Sequence, residues 1–535
     1  LRIAATSSTL WYRPFELNSQ EEHTLANGNL QAVKILKTIL WVWATLVLIA
    51  TAAAVYRGWK CVNLPYELNY GEGPLMWQVL NVWNPSIAYG PLAGGPLVIW
   101  NYPPAYLFAV RGLWMVQGDL LWSGRFVSFL SGLGIALLLA AVIYRSLPSR
   151  FGSSIRLCAA GVGLLFLCTM PAVRWFPLMR VDWLGLLATY LGIFFFLSAE
   201  SKHWKTYVAF LFFLLAIWTK QTFLAAPLAC FLLTLVTAPR RAIRLGLLCT
   251  GLGTAGFWFG MRWTNGGIAR HLISYNVHKF SFGRALGGVT SDLSQARLLL
   301  ILVGGIVIVA VSRVSRMTPV HGWKSWKAKL SRSPFSLALS VEILHALFAF
   351  LISFSYGKIG SDINYFLEFD ATLCVLSGLS LAVLFWQVQR APRLSAGLAA
   401  ALMIPVVLAG QSLGPTFNSL VGSDGTRAMH YERSEAYRQL IPLIANTPGP
   451  VVSDDMVLLT RAGKDTVFDP INMWYLAEVG TWDQSQFLGR IESKDFAMII
   501  ISDPTRWHPR LLLAIQKAYQ VDRVVGQYQV YRPRQ

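Results

Sequence analysis

Long apolar runs broken by short basic patches dominate the chain. Runs at 35–56, 122–144, 156–172, 183–198, 206–219, 222–238, 245–263, 298–312, 335–356, 365–387 and 394–411 predict about eleven membrane-spanning helices. The patches between them carry Lys34 and Lys37; Arg145, Arg150 and Arg156; Lys202 and Lys205; Arg240, Arg241 and Arg244; Arg313, Arg316, Lys324, Lys327, Lys329 and Arg332; and Arg390 and Arg393. On an alternating path through a bilayer these clusters all fall on one side, which the positive-inside rule makes the cytoplasm. The tail 1–33 is then cytoplasmic, and it lacks the basic-then-apolar pattern of a signal peptide. The loops 57–121 and 264–297, and everything from about 413 onward, lie outside. The stretch "AYLFAVRGLWMVQ" at 105–117 is apolar but short and carries Arg111. It predicts a helix lying at the outer interface; as a span it would put the basic loops outside.

The pattern changes near residue 413. "GPVVSDDMVLL", "KDFAMIIISD" and "VVGQYQVYRP" predict short buried strands, and "SEAYRQLIPLIAN" and "HPRLLLAIQKAYQ" predict helices. The expected fold class is an α-helical polytopic membrane protein with a small C-terminal α/β domain outside the membrane. Its parts are the tail 1–33, a transmembrane domain 34–412 with a long first outer loop 57–121, and an extracytoplasmic domain 413–535.

Composition agrees. The chain is 55% hydrophobic and 13% charged, about half the charge of an ordinary soluble domain. A net charge of +20 would suggest nucleic acid in a soluble protein. Here basic cytoplasmic loops facing anionic lipid account for it, and no nucleic-acid partner is expected. Cys61, Cys158, Cys168, Cys230, Cys249 and Cys374 have no CxxC or metal spacing, and five of them fall in predicted spans. They read as small apolar residues without a disulfide framework.

Polar residues at membrane depth are costly and invite a functional explanation. Most of those here share the outer level. Glu72, in "NYGEGP", lies between Gly71 and Gly73, which let the backbone turn, and Pro74 suits the first position of a helix. A carboxylate there sits near a helix N-terminus, which favours its ionised form and suits a base or a metal ligand; an ordinary turn and cap is the plainer explanation. Arg125 starts the second span, and Arg180 and Asp182 in "MRVDW" precede the fourth. Lys220 and Gln221 in "WTKQTF" break the chain between the fifth and sixth, where simple interface anchoring would also suit them. Asn364 and Glu368, four apart, share a face at the start of the tenth. "NYPPAY" reads as a turn, with Tyr102 positioned to line a pocket. His271 and His278 lie in an outer loop without metal spacing and read as loop residues.

Together, "NYGEGPLMWQVL", "NYPPAYLF", "GRFVSFLSGL", "RVDWLGLLATYLG", "WTKQTFLAAPL" and "INYFLEF" resemble the GT-C superfamily. The likeness is to its bacterial family 39-like branch, related to protein O-mannosyltransferases and aminoarabinose transferases. It covers most of residues 35–390, and an outer domain such as the one here suits the group. The better-known members carry an Asp-Glu pair where this chain has Gly71-Glu72, which leaves the identity of the catalytic carboxylate open. The WWD-type tripeptide of oligosaccharyltransferases is absent from the sequence. The resemblance implies a GT-C-like fold in a bacterial cytoplasmic membrane. It also implies transfer of one sugar from a polyprenyl-phosphate donor to a glycan, lipid or protein acceptor on the outer side. By that reading Glu72 and Asp182 are the catalytic carboxylates. Lys220 and Arg180, with Arg125 behind them, bind the donor phosphate. Gln221, Asn364, Glu368 and Tyr102 hold or orient sugar and acceptor. The lipid-linked sugar enters as substrate; the group leaves room for a divalent metal, to which no residue is assigned. Two rivals are a lipid or solute transporter, which would have a polar path through the bundle, and a catalytically degenerate subunit of a membrane complex.

Overall fold

The computed structural model describes residues 19–200, 203–297, 299–301, 303–304, 333–390 and 424–535. In chain order the helices are α1 Ser19–Val62, α2 Glu72–Asn81, α3 Ala105–Gln117, α4 Leu120–Ser146, α5 Ser153–Leu164, α6 Met170–Trp175, α7 Asp182–Leu197, α8 Trp204–Thr219, α9 Ala225–Thr237, α10 Pro239–Trp263, α11 Gly267–Leu272 and α12 Phe282–Gln295. After the residues not described come α13 Pro334–Ser353 and α14 Leu367–Arg390, and then, in the C-terminal region, α15 Asp424–Ala445, α16 Met456–Arg461, α17 Pro470–Glu478, α18 Ser485–Glu492 and α19 Pro509–Ala518.

Among the described residues five apolar helices are long enough to cross a membrane: Lys37–Val62, Leu120–Ser146, Pro239–Trp263, Pro334–Gly357 and Ile363–Trp386. Four more, Ser153–Cys168, Asp182–Leu197, Trp204–Thr219 and Ala225–Thr237, are apolar but of 10–17 residues. Two of these short helices stop where the polar cleft begins: α7 starts at Asp182, and α8 ends just before Lys220. Most of the span expected at 298–312, and the whole of that at 394–411, fall outside the described residues.

Burial separates the spans. Most of Ile363–Trp386 is buried inside the protein, so it is the central post of the bundle. Only a small share of Pro239–Trp263 is covered, and Leu247, Trp258 and Phe259 stand exposed on it. A helix apolar on its outside faces lipid. The helix expected over 105–117 is α3, with the predicted bounds; Pro104 precedes it, and Gly118, at φ 89°, closes it with a backbone bond to the Trp114 carbonyl.

The C-terminal region forms a four-stranded sheet in the order β1-β2-β4-β3, with β1 Val451–Ser453, β2 Met498–Ile501, β3 Tyr519–Val525 and β4 Tyr528–Pro533. β1 and β2 are parallel; β3 and β4 form a hairpin turning at Gly526-Gln527, and β4 runs antiparallel to β2. "GPVVSDDMVLL" is only in part a strand. Asp455 accepts a bond from the Leu458 N–H and starts α16 instead.

This sheet shares its core with the first loop. Leu75, Trp77, Val79 and Trp100 belong to one apolar cluster with Tyr437, Val457, Met498 and Val530. Polar ties reinforce the seam: Arg506 lies 3.0 Å from Glu67 and 3.3 Å from Asp454, Arg461 lies 3.0 Å from Asp119, and the Tyr70 hydroxyl donates to Asp469. The strip Leu97–Phe468 pairs backbone to backbone.

Candidate active-site cleft

Gly71 and Gly73 are there because two bodies press on the turn. A Cβ on Gly71 would lie 1.3 Å from Arg180 Nη1, and one on Gly73 would lie 2.7 Å from the Met456 Cβ on α16. Between them Glu72 points inward. Its Oε1 accepts from Arg125 Nε at 2.8 Å and the Met179 N–H at 2.9 Å. Its Oε2 accepts from Arg125 Nη2 at 2.7 Å and the Leu68 and Asn69 N–H groups at 2.8 and 3.3 Å. Arg125 spends its remaining donors on the carbonyls of Cys61, Leu64 and Tyr66. All five N–H groups of the guanidinium are used. Both side chains have no exposed surface.

This geometry argues against the roles expected for both residues. Burial would raise the Glu72 carboxyl, but the Arg125 charge and hydrogen bonds and the Met179 and Leu68 amides outweigh it and hold it below its usual range. A carboxylate so saturated is a poor proton acceptor, and an arginine with no free donor cannot also grip a phosphate. The pair pins the first loop to α4 and to the strip before α7.

The second buried pair is built differently. Asp182 Oδ1 accepts from Lys220 Nζ at 2.7 Å and Asn364 Nδ2 at 2.9 Å, and Oδ2 accepts from Trp175 Nε1 at 2.9 Å. Three distant segments thus meet at one carboxylate. Lys220 Nζ also lies 4.5 Å over the Tyr365 ring. Burial pulls the Lys220 ammonium down, but Asp182, Tyr365 and Tyr102 raise it above its ordinary value, so it stays charged. Lys220 faces a cleft, and Asp182 stands behind it.

The cleft has two lobes, of about 410 and 320 Å³, which share Asn101, Tyr102, Arg180, Asp362, Asn472 and Tyr475. Arg180 stacks on Trp175 at 4.8 Å and makes no ion pair among the described residues. Gln221 Nε2 donates to the Asn101 carbonyl at 3.1 Å, while Gln221 Oε1 and Asn101 Oδ1 are buried without partners. Those two oxygens are unspent acceptors in the cleft wall. Asp362 is exposed and is the one carboxylate among the residues lining either lobe.

Lys220, Gln221, Arg180, Tyr102 and Asn364 therefore line the cleft, with Asp182 directly behind; Glu72 and Arg125 lie outside it. Glu368 departs from expectation as well. Asn364 sits in a short 3-10 turn, Ile363–Phe366, before α14 begins, so the two do not share a helical face. Glu368 Oε1 turns into the bundle, 3.0 Å from His345 Nε2, and His345 Nδ1 lies 3.3 Å from Glu342.

Sequence reasoning missed Lys358, His278, Arg284, Asn472 and Tyr475. Lys358 donates to the Asn276 side chain, and burial followed by the Lys220 charge lowers it to about 8. Burial and Lys358 lower His278 to about 4, leaving it neutral, with Nδ1 unpartnered and its ring edge-on to Tyr475. His271 is structural: Nδ1 accepts from the Trp100 N–H at 3.1 Å, so Nε2 carries the proton donated to the Gly90 carbonyl at 2.7 Å. Lys358 follows the apolar run without any motif, and Asn472 and Tyr475 come from a helix more than 100 residues away, so pattern alone offered no signal for them. Among the described residues no three His, Cys, Asp or Glu side chains group as metal ligands.

Comparison with solved structures finds the same fold elsewhere. ArnT from Cupriavidus metallidurans bound to undecaprenyl phosphate superposes with a TM-score of 0.57 at 16% identity, over 91% of this chain and 97% of that one. The same protein in the apo state gives a TM-score of 0.58 at 15% identity, over 91% and 98%. An oligosaccharyltransferase from Archaeoglobus fulgidus, in complex with Zn and sulfate, gives 0.48 at 14%, over 89% and 71%. No family model and no curated protein matches the sequence. The chain is a membrane protein with a GT-C-like fold.

Proposed function

We propose that this chain is an integral-membrane glycosyltransferase that moves a sugar from a polyprenyl-phosphate donor to an acceptor on the outer side of the membrane. One observation carries the reading: Arg180, without a carboxylate partner among the described residues, faces a 410 Å³ cleft beside Lys220 and Lys358. Three cations converging where helices end, lined by unspent amide oxygens, suit a phosphate joined to a sugar. The cleft is built from helix ends and loops, unlike the path through the bundle that a transporter needs. The shared fold with ArnT, crystallised with undecaprenyl phosphate, fits this donor class.

In this reading Arg180 forks onto the phosphate oxygens, and Lys220 and Lys358 act as point charges as the leaving group gains charge. Asn101 Oδ1 and Gln221 Oε1 accept from sugar hydroxyls. Asp362, in place of Glu72, takes the proton of the acceptor hydroxyl as that oxygen attacks the anomeric carbon and the bond to the phosphate oxygen breaks. Asp182 holds Lys220 in place, and Glu72 with Arg125 holds the loop that carries Gly71.

Native mass spectrometry of the purified chain with undecaprenyl phosphate tests this. Wild type retains the lipid, and Arg180→Ala weakens retention at least about tenfold, as expected for a lost charge-assisted bond. Equal retention by both removes the cleft as donor site.

A further inference from the structure

A second cavity, of about 420 Å³, lies outside the cleft, between the end of α12, the start of α6 and the first turns of α14. Two carboxylates face it, Asp292 from α12 and Asp370 from α14, only 5% and 2% exposed. Asp292 Oδ2 and Asp370 Oδ1 are buried without a hydrogen-bond partner, and neither side chain forms an ion pair among the described residues. Thr169, from a third segment, brings a hydroxyl to the same wall beside Asp370. Arg297 borders the cavity but is exposed and does not neutralise either acid.

Unpaired buried carboxylates are not free-standing features. Buried charges are paired or bind cations, and an unsatisfied buried polar group demands an explanation. Three other buried carboxylates have a cation beside them: Glu72 has Arg125, Asp182 has Lys220, and Asp454 has Arg506. No described residue supplies the positive charge that Asp292 and Asp370 lack.

We propose that Asp292 and Asp370, with Thr169, form a binding site for a hydrated divalent cation. The donors are hard oxygens, which suit Mg²⁺, Mn²⁺ or Ca²⁺. Two carboxylates and a hydroxyl leave several coordination positions for water, the manner in which Mg²⁺ is usually held. A water needs about 30 Å³, so the cavity takes an ion together with its shell. Bound there, the cation ties α12 to the central helix α14 and to the strip leading into α6. This site shares no lining residue with the cleft, and the inference stands apart from the sugar-transfer reading.

Mn²⁺ binding to the purified full chain in detergent, followed by electron paramagnetic resonance, decides it. The expectation is saturable uptake of one tightly held Mn²⁺ per chain, displaced by Mg²⁺ or Ca²⁺. Because loss of even an outer-shell partner typically costs 10–100-fold in affinity, Asp292→Asn with Asp370→Asn weakens uptake by at least about tenfold. The exposed control Asp483→Asn leaves it unchanged. Asp292→Asn alone, on a peripheral helix, serves if the double variant does not fold. Absence of saturable uptake by the wild type overturns the proposal, as does uptake that the Asp variants leave intact.

Discussion

Two buried ion pairs of the same 2.7 Å length stand in this protein and are suited to different tasks. Glu72–Arg125 is closed on all sides: every guanidinium donor and both carboxylate oxygens are spent on the pair and on backbone groups. Asp182–Lys220 is closed on one side only. Behind Lys220 stand Asp182 and Trp175; in front of it lies the cleft, which Asn364 also lines. Burial and distance do not separate a structural pair from a functional one. What separates them is whether a charged member still has a face toward open volume.

The largest effect should come from breaking the closed pair. Glu72→Gln leaves the Arg125 charge buried without its counter-ion, and removing one partner of such a pair costs about 3–5 kcal/mol. The expected outcome is a large drop in the unfolding midpoint by thermal or denaturant melt. Any folded fraction should keep much of its turnover, because Glu72 does not line the cleft. A stable Glu72→Gln protein with turnover lost by about 10²-fold would restore it as the base.

The open pair should fail in the opposite sense. Lys220→Met with Asp182→Asn removes both charges together, so no lone buried ion remains. Folding should survive, while turnover falls by about 10²-fold, the scale of losing one preorganised donor to a developing charge. Comparing melts and single-turnover rates of the two variants sharpens the contrast. If the double variant melts as early as Glu72→Gln, both pairs are structural.

Gly71 joins the closed pair to the cleft, since the turn that carries Glu72 also makes room for Arg180. In Gly71→Ala the new Cβ collides with the tip of a flexible side chain, not with backbone. Stability should change by less than about 1 kcal/mol. The displaced guanidinium should lower undecaprenyl-phosphate affinity about tenfold, or about 1.4 kcal/mol. Unchanged affinity by native mass spectrometry would mean that Arg180 does not reach the ligand.

These contrasts also mark how far the chain could be read before folding. The helix at 105–117 was legible because the run is apolar, too short to span and preceded by the turn at "NYPPAY". The gathering of Arg180, Lys220 and Asn364 was legible because each stands at the end of a span, and alternating topology brings such ends to one rim. The role of Glu72 was not. Its partner lies 53 residues away, and a turn with two glycines looks the same whether its acid points at a cleft or away from it. Glu368 misled for a local reason: the 3-10 turn at Ile363–Phe366 ends helical phasing just before α14. Asn472 and Tyr475 enter the cleft on α17, whose Met473 and Leu476 share a core with Leu92 and Ile99 of the first loop.

The smallest effect concerns Lys358, and it tests the open face most finely. Its pKa of about 8 is depressed from 10.5 by burial and by Lys220. The unfolded chain therefore holds more protons than the folded one between about 8 and 10.5, so this group's penalty on stability is present at neutral pH and is relieved as pH rises through that window. Ligand binding runs the other way. A phosphate prefers the charged ammonium, so the contribution of Lys358 is full below about pH 7 and lost as pH passes about 8. Because Lys358 is only partly buried, solvent screening limits the loss in undecaprenyl-phosphate affinity to about threefold to tenfold between pH 7 and 9. Lys358→Arg, charged throughout, should flatten that profile, whereas Lys220, held above its ordinary value by Asp182, should contribute no slope in this range. A wild-type profile already flat between pH 7 and 9 would take Lys358 out of the phosphate's reach and leave the open face to Arg180 and Lys220 alone.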